Sequence, residues 1–453
     1  MTQELEGSLA ESPARTVFRH SVMTFATRVG IVLINVPTSI LVARLLGAEG
    51  QGIYASAIIL PTMFAFAGML GVDSAHTFLL SKKRYRPSEI NGQALLLTLI
   101  LSVIIVALYL GFLRLYGPAR ADAGLRGTLT LAAAIVPVIL AKYFAIAFLL
   151  GLERIRRFNL ANALQAATLL GFMCVNLFLM RGGPRGAVVA YLASEVTVSL
   201  VALGAALRAA GGGPLIERPP RDLTRRSVVY GLQGHVGNIL VLFTYRFDMF
   251  LVLSMAGLRA QGLYSIAVIL AEKLSHIPDS IQVVLFPKLS SLETADADEL
   301  TPRVTRNSLL VTAAAGLVLY LLSRPLLLLF YGTEYIDSLR AFQVLIPGVV
   351  LLSVAKILST DFSGRDKRIY YTGATAIAFS INVVLCLLWI PGFGIIGAAW
   401  ASTLAYAAQA AIMLAFFRRL SGRGVLESVL VRREDLVLYR GLVRRWLARG
   451  GGR

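Results

Sequence analysis

Apolar residues run in blocks of about twenty or more along almost the whole chain, and polar residues collect in the gaps between them. Twelve blocks stand out: residues 20–43, 53–80, 91–113, 127–151, 158–180, 187–207, 228–256, 262–287, 307–331, 341–360, 369–390 and 394–417. A helix needs about 20 residues to cross a hydrocarbon core of about 30 Å, so each block predicts a spanning segment. The blocks are rich in Leu, Ala, Val and Ile and lack the short alternating pattern of a barrel strand, which predicts helices. The expected fold is an all-α integral membrane protein with about 12 transmembrane helices.

The gaps carry the organisation. The longest internal one, RAAGGGPLIERPPRDLTRR, is rich in Gly, Pro and Arg and reads as a linker over residues 208–227. It leaves six blocks on each side, 20–207 and 228–417, between an N-terminal segment 1–19 and a tail 418–453. Basic residues concentrate in alternate gaps: Lys82, Lys83, Arg84 and Arg86, then Arg154, Arg156 and Arg157, then the linker, then Lys288, Arg303 and Arg306, then Arg365, Lys367 and Arg368. An excess of Lys and Arg marks the cytoplasmic side, so both termini are expected there. The segment Leu426–Arg449 alternates apolar and basic residues and predicts an amphipathic helix lying on an anionic leaflet.

A repeat agrees with the six-plus-six division. GAEGQGIYASAIIL, residues 47–60, returns as GLRAQGLYSIAVIL, residues 257–270. Gly47/Gly257, Gln51/Gln261, Gly52/Gly262 and Tyr54/Tyr264 are among the identical pairs. Both copies sit at the turn joining the first two blocks of a half. That predicts two halves in the same orientation, related by a pseudo-two-fold axis along the membrane normal. The glycines are expected to serve turns and close helix packing.

Composition confirms the class and narrows the chemistry. Of 453 residues, 57% are hydrophobic and 15% charged, against about 25% charged in soluble domains. The net charge of +19 would suggest nucleic acid in a soluble protein, but here it is accounted for by loops that set orientation, so no nucleic-acid partner is expected. Cys174 and Cys386 lie within apolar blocks and the four histidines are scattered, so neither a metal nor another cofactor is expected. The polar N-terminal segment and the long block after it are not expected to form a cleavable signal peptide.

Several stretches resemble a known family: SILVARLLGAEGQGIYASAIIL, GMLGVDSAHTFLL, YRFDMFLVLSMAGLRAQGLYSIAVIL, LLLLFYGTEYIDSLRAFQVLIPG and FGIIGAAWASTLAY. They are similar to the polysaccharide and oligosaccharide-lipid exporter branch of the superfamily that also holds the multidrug and toxin extruders and the lipid II flippases. The resemblance covers about residues 20–418. It implies two six-helix lobes around a central cavity and alternating access. It implies an undecaprenyl-pyrophosphate-linked oligosaccharide as substrate, flipped across a bacterial inner membrane and driven by a proton or sodium gradient. Implied partners are this anionic lipid-linked glycan and the bilayer, with docking of a polysaccharide polymerase or ligase left open; a monomer is expected. A lipid II flippase, a multidrug extruder and, in another class, a membrane glycan polymerase or ligase are the alternatives. The extruder reading would favour acidic cavities, and an enzyme would favour larger outer loops or paired catalytic carboxylates; the chain shows neither, so a non-enzymatic transporter is expected.

Charges inside the blocks are the candidate site. Burying one at mid-bilayer costs at least about 2.5–3.5 kcal/mol, so each needs a reason. Arg28, Lys142 and Arg246 lie about 13–18 Å from the nearer helix end at 1.5 Å per residue, too deep to reach the interface easily. Lys273, Arg324 and Lys356 are the other basic residues in the blocks; Arg324 and Lys356 lie nearer the ends. Arg28, Arg246 and Lys142 are the candidate ligands for a pyrophosphate, whose oxygens a guanidinium can meet bidentately. Asp248, Glu195 and Glu272 are the candidate ion-coupling groups. The competing reading is that these acids simply neutralise the bases.

Overall fold

The computed structural model describes residues 13–116, 123–209, 214–430, 432 and 435. The described secondary structure is helical throughout, in fourteen α-helices with short 3₁₀ or π segments between some of them. In chain order they are α1 Pro13–Gly68, α2 Val72–Ser81, α3 Pro87–Tyr116, α4 Ala123–Ala132, α5 Ile135–Gly151, α6 Ile155–Cys174 and α7 Gly183–Ala209. There follow α8 Arg221–Ala271, α9 His276–Ser291, α10 Thr294–Leu321, α11 Ser323–Leu326, α12 Leu339–Gly364, α13 Arg368–Ser421 and α14 Val425–Val429.

Among the described residues, 9 helical stretches are long and apolar enough to span a membrane. Three of these, Ala26–Gly68, Arg221–Ser291 and Arg368–Ser421, are too long for one crossing. Each is broken at a glycine with positive φ: Gly47 (φ 67), Gly257 (φ 86) and Gly394 (φ 56). Residues with a Cβ rarely adopt that conformation. Splitting the three stretches there yields the twelve spans of the sequence pattern. The gaps between blocks at 44–52 and 257–261 contract to breaks at single residues, Gly47 and Gly257.

Other departures lie within spans. The second breaks at Leu70 (φ 57) and Gly71 (φ 68) between α1 and α2. The fourth is divided between α4 and α5, and the fifth ends in a π segment, Val175–Leu179. The eighth carries a 3₁₀ turn at Glu272–Ser275, and the ninth ends in a π segment at Leu327–Tyr331. The amphipathic tail expected over Leu426–Arg449 lies mostly outside the described residues.

Contacts divide the chain into two compact units: residues 1–265 with 330–334, and residues 266–329 with 335–453. The first unit packs around Tyr109, Leu129, Ile135, Val136, Leu140 and Phe144, with the Tyr109 hydroxyl donating to the Leu129 carbonyl at 2.9 Å. The second is centred on α12, which buries Phe342, Ile357 and Phe362. A Cβ on Gly348 would lie 2.7 Å from Thr403 Cα, so α12 and α13 touch nearly backbone to backbone. Large apolar side chains are also exposed: α3 presents Leu99, Val103 and Leu108, each more than 60% exposed. A row of that kind has no stable contact with water and is stable against lipid chains.

Candidate functional site

Three clusters of polar groups lie within the first unit. The first is built by the repeat. Gly52 and Gly262 are equivalent positions of the two copies, as are Ala48 and Leu258. A Cβ on Gly52 would overlap the Leu258 carbonyl, and a Cβ on Gly262 would overlap the Ala48 carbonyl. The two copies therefore cross each other reciprocally, each glycine admitting the backbone of the other helix, as small residues do in membrane packing. Gln51 Nε2 donates to Ser265 Oγ at 3.2 Å beside this crossing.

Glu334 holds the neighbouring turn. After the break at Gly47 the helix resumes at Ala48, whose N–H donates to Glu334 Oε1 at 2.7 Å. A carboxylate at a fresh helix N-terminus satisfies an otherwise orphaned donor and faces the positive end of the helix dipole. Arg259 Nη1 lies 3.8 Å from the same oxygen. Sequence reasoning did not single out Glu334; its signal was an acid in the FYGTEY stretch, far in sequence from the glycine it serves.

The second cluster lies among α5, α6 and α7. Lys142 Nζ lies 2.6 Å from Glu195 Oε2 and donates to Gln165 Oε1 at 3.2 Å. Gln165 Nε2 donates in turn to Glu195 Oε1 at 2.5 Å. Lys142 and Glu195 are almost completely buried. The structure thus joins one candidate ligand to one candidate coupling group, as the neutralisation reading anticipates for Lys142. Gln165, which closes the triangle, went unnoticed in the sequence because a single amide in an apolar block carries no spacing signal.

The third cluster surrounds the remaining candidates on α8. Asp248 is buried; Tyr264 donates its hydroxyl to Asp248 Oδ2 at 2.6 Å, and the Met249 N–H donates to Oδ1 at 2.7 Å. Arg246 is half-buried, with Nη1 at 3.5 Å from the Tyr245 carbonyl and 4.0 Å from Met249 Sδ. Tyr264 belongs to the repeat, so the repeat positions the carboxylate as well as the turn. Arg28 is exposed on α1. Glu272 opens the 3₁₀ turn of the second unit, where Lys356 Nζ pairs with Asp279 Oδ1 at 2.6 Å.

This arrangement accompanies a clear family match. The profile of a family described as polysaccharide biosynthesis protein matches residues 15–293, more than half of the chain. The chain belongs to the polysaccharide biosynthesis protein family. Its fold is that of transporters of the MOP superfamily. A multidrug resistance MATE family transporter in an inward-facing conformation superposes with a TM-score of 0.71 at 16% identity, over 89% of this chain and 98% of that one. An outward-facing MATE conformation scores 0.62 at 17% identity, over 91% and 97%. A MOP superfamily transporter from Pyrococcus furiosus, described by the reversed polarity of its binding pocket, scores 0.57 at 16% identity, over 90% and 96%. Among curated sequences, an uncharacterised membrane protein of Methanocaldococcus jannaschii is 26% identical over 191 residues, 41% of this chain and 38% of that relative. The chain therefore spans well under half of the length of that relative. The family member described here is a multi-pass membrane protein with the fold of an exporter superfamily, and its structural relatives are transporters.

Proposed function

We propose that this protein is a flippase for an undecaprenyl-pyrophosphate-linked oligosaccharide, a unit of O-antigen, capsule or exopolysaccharide, moved across a bacterial inner membrane by alternating access. The family match carries the reading, because it joins polysaccharide biosynthesis to a transporter fold. On this reading both termini are cytoplasmic, the chain transports without catalysing bond chemistry, and it acts as a monomer beside a polymerase or ligase.

Arg28 and Arg246 are the proposed pyrophosphate ligands. A pyrophosphate crossing a region of low dielectric needs a counter-charge, and a guanidinium meets its oxygens with paired donors. Lys142 enters differently: its charge is already matched by Glu195, so it serves substrate only when that pair opens. The proposed coupling carboxylates for a proton or sodium gradient are Asp248, Glu195 and Glu272. Asp248 leads because its Tyr264 partner lies in the crossing of the two repeats, where a change of charge would be felt by both helices.

The test is flipping of a fluorescent undecaprenyl-pyrophosphate oligosaccharide in sealed proteoliposomes. Wild type is expected to transport it, and Arg28→Ala and Arg246→Ala are expected to lose transport while remaining folded. Transport that survives both substitutions would remove the cationic site. Absence of transport by wild type under imposed ion gradients, with efflux of cationic dyes instead, would replace the reading by a multidrug extruder.

A further inference from the structure

The inner ends of α2 and α8 form a second basic site that the transport path proposed above does not use. Both helices belong to the first unit. Their approach is set by glycine: a Cβ on Gly71 would sit 2.5 Å from the Gly231 carbonyl oxygen, and one on Gly231 would overlap the Leu70 carbonyl. With no side chain between the backbones, the helix ends that follow are held close together. Phe78 and Tyr230 stack across the gap, ring centroids 4.4 Å apart and nearly parallel.

Beyond that stack the loop after α2 supplies Arg84, and the first turns of α8 supply Arg225 and Arg226. They line a cavity of about 470 Å³ together with Val229, Tyr230 and Phe78. Its size falls in the range of roughly 300–1,000 Å³ typical of small-molecule sites. The carboxylate that lines it, Asp222, is engaged on two sides: it accepts from the Tyr85 hydroxyl at 2.6 Å, and Arg226 Nε lies 3.4 Å away. Three arginines and one carboxylate line the cavity, and with Arg226 paired to Asp222 the charges of Arg84 and Arg225 leave it net positive. The lining combines these basic groups with the aromatic and apolar Phe78, Leu79, Val229 and Tyr230. The cavity also adjoins the basic run Lys82, Lys83, Arg84 and Arg86, which the sequence pattern places at the end of a spanning block, where lipid headgroups are expected.

We propose that this cavity binds the phosphate-bearing headgroup of a membrane lipid. Arg84, Arg225 and Arg226 hold the phosphate oxygens, and Phe78, Val229 and Tyr230 receive the first part of the apolar chain. Guanidinium forks suit phosphate oxygens, and basic pockets between spanning helices on this face suit anionic lipids. Two lipids share that chemistry: the polyprenyl pyrophosphate of the proposed substrate, for which the cavity would be an entry site, and a bulk anionic phospholipid. Only the choice of polyprenyl pyrophosphate rests on the exporter reading.

The full-length protein, reconstituted in phosphatidylcholine nanodiscs, is titrated separately with undecaprenyl pyrophosphate and with phosphatidylglycerol, and bound lipid is counted by native mass spectrometry. Arg84→Gln with Arg225→Gln is compared with Lys82→Gln with Lys83→Gln, which removes the same charge from the same face without touching the cavity lining. The first pair is expected to weaken binding by about tenfold or more, the scale of one lost charge-assisted contact, and the second by less than about twofold. Replacing the two arginines by lysine is expected to recover part of the loss. Equal loss in both glutamine pairs would mean diffuse surface charge and overturn the proposal. So would wild-type protein that binds neither lipid more tightly than phosphatidylcholine. Preference for undecaprenyl pyrophosphate identifies an entry site, and equal affinity identifies a phospholipid site; either supports the cavity. Flipping is measured on the same samples. Flipping without cavity binding would overturn the cavity and keep the exporter, and cavity binding without flipping would do the reverse.

Discussion

Lys142 and Glu195 show how much a single position decides. Each is an expensive residue to place among helices, and together with Gln165 they account for each other. Removing one partner leaves the other charged and buried, which costs about 3–5 kcal/mol in comparable pairs. Glu195→Gln is therefore expected to lower the thermal unfolding temperature sharply, and Lys142→Met added to Glu195→Gln to recover most of the loss. A double variant as unstable as the single one would show that the lysine is not what suffers. Asp435 supplies a different test. Its carboxyl accepts from Arg306 Nε at 2.5 Å and Nη2 at 3.0 Å, and those bonds hold its pKa down to about 2, below the usual carboxylate value. A depressed carboxylate stabilises the folded arrangement above its unfolded pKa of about 3.9, and that contribution is lost as pH falls through about 2. The protection factors of residues 425–430, taken relative to the intrinsic exchange rate at each pH, are expected to hold at pH 5 and to fall as the pH drops from about 4 toward 2. Asp435→Asn should show the lowered protection already at neutral pH.

At the scale of the helix, the repeat explains itself once its two copies are seen to touch. Gly52 and Gly262 are each kept free of a side chain by the backbone of the other copy, not by their own turn. Gly52→Ala and Gly262→Ala are both expected to destabilise the crossing by about 1–3 kcal/mol, the usual cost of overpacking. Gly111→Ala, where an added Cβ meets nothing within 4 Å, should leave the melting temperature unchanged or raise it, since Ala is the better helix former. Equal effects at all three positions would remove the crossing as the cause. The glycines were legible in the sequence because they recur at a fixed offset next to a conspicuous Gln and Tyr. The breaks inside spans were not legible. A span interrupted at Leu70–Gly71 or tightened at Glu272–Ser275 has the same apolar composition as a straight helix, and neighbouring helices re-satisfy the freed backbone groups.

Across the whole molecule, the twelve spans and the helical class were readable because lipid imposes one requirement on every residue at depth: its backbone must be hydrogen-bonded internally and its side chain must be apolar or explained. That requirement also marked the charged residues to inspect, and it pointed to Arg28, Lys142 and Arg246 without saying which were matched. The partners were not readable: Glu195 is 53 positions from Lys142 by chain numbering, and nothing in their local patterns links them. The same holds for Glu334, which reaches Ala48 across most of the chain.

Alone, then, the sequence determined the helical membrane class, the apolar stretches long enough to span, the repeat of residues 47–60 at 257–270 and the family to which its motifs are similar, because these follow from local periodicity and from residues near one another. The tertiary structure decided which charges neutralise each other, which glycines separate backbones and where arginines from distant segments converge. Those are properties of contacts between helices, and contact is set by the packing of whole spans, to which no single stretch of sequence has access.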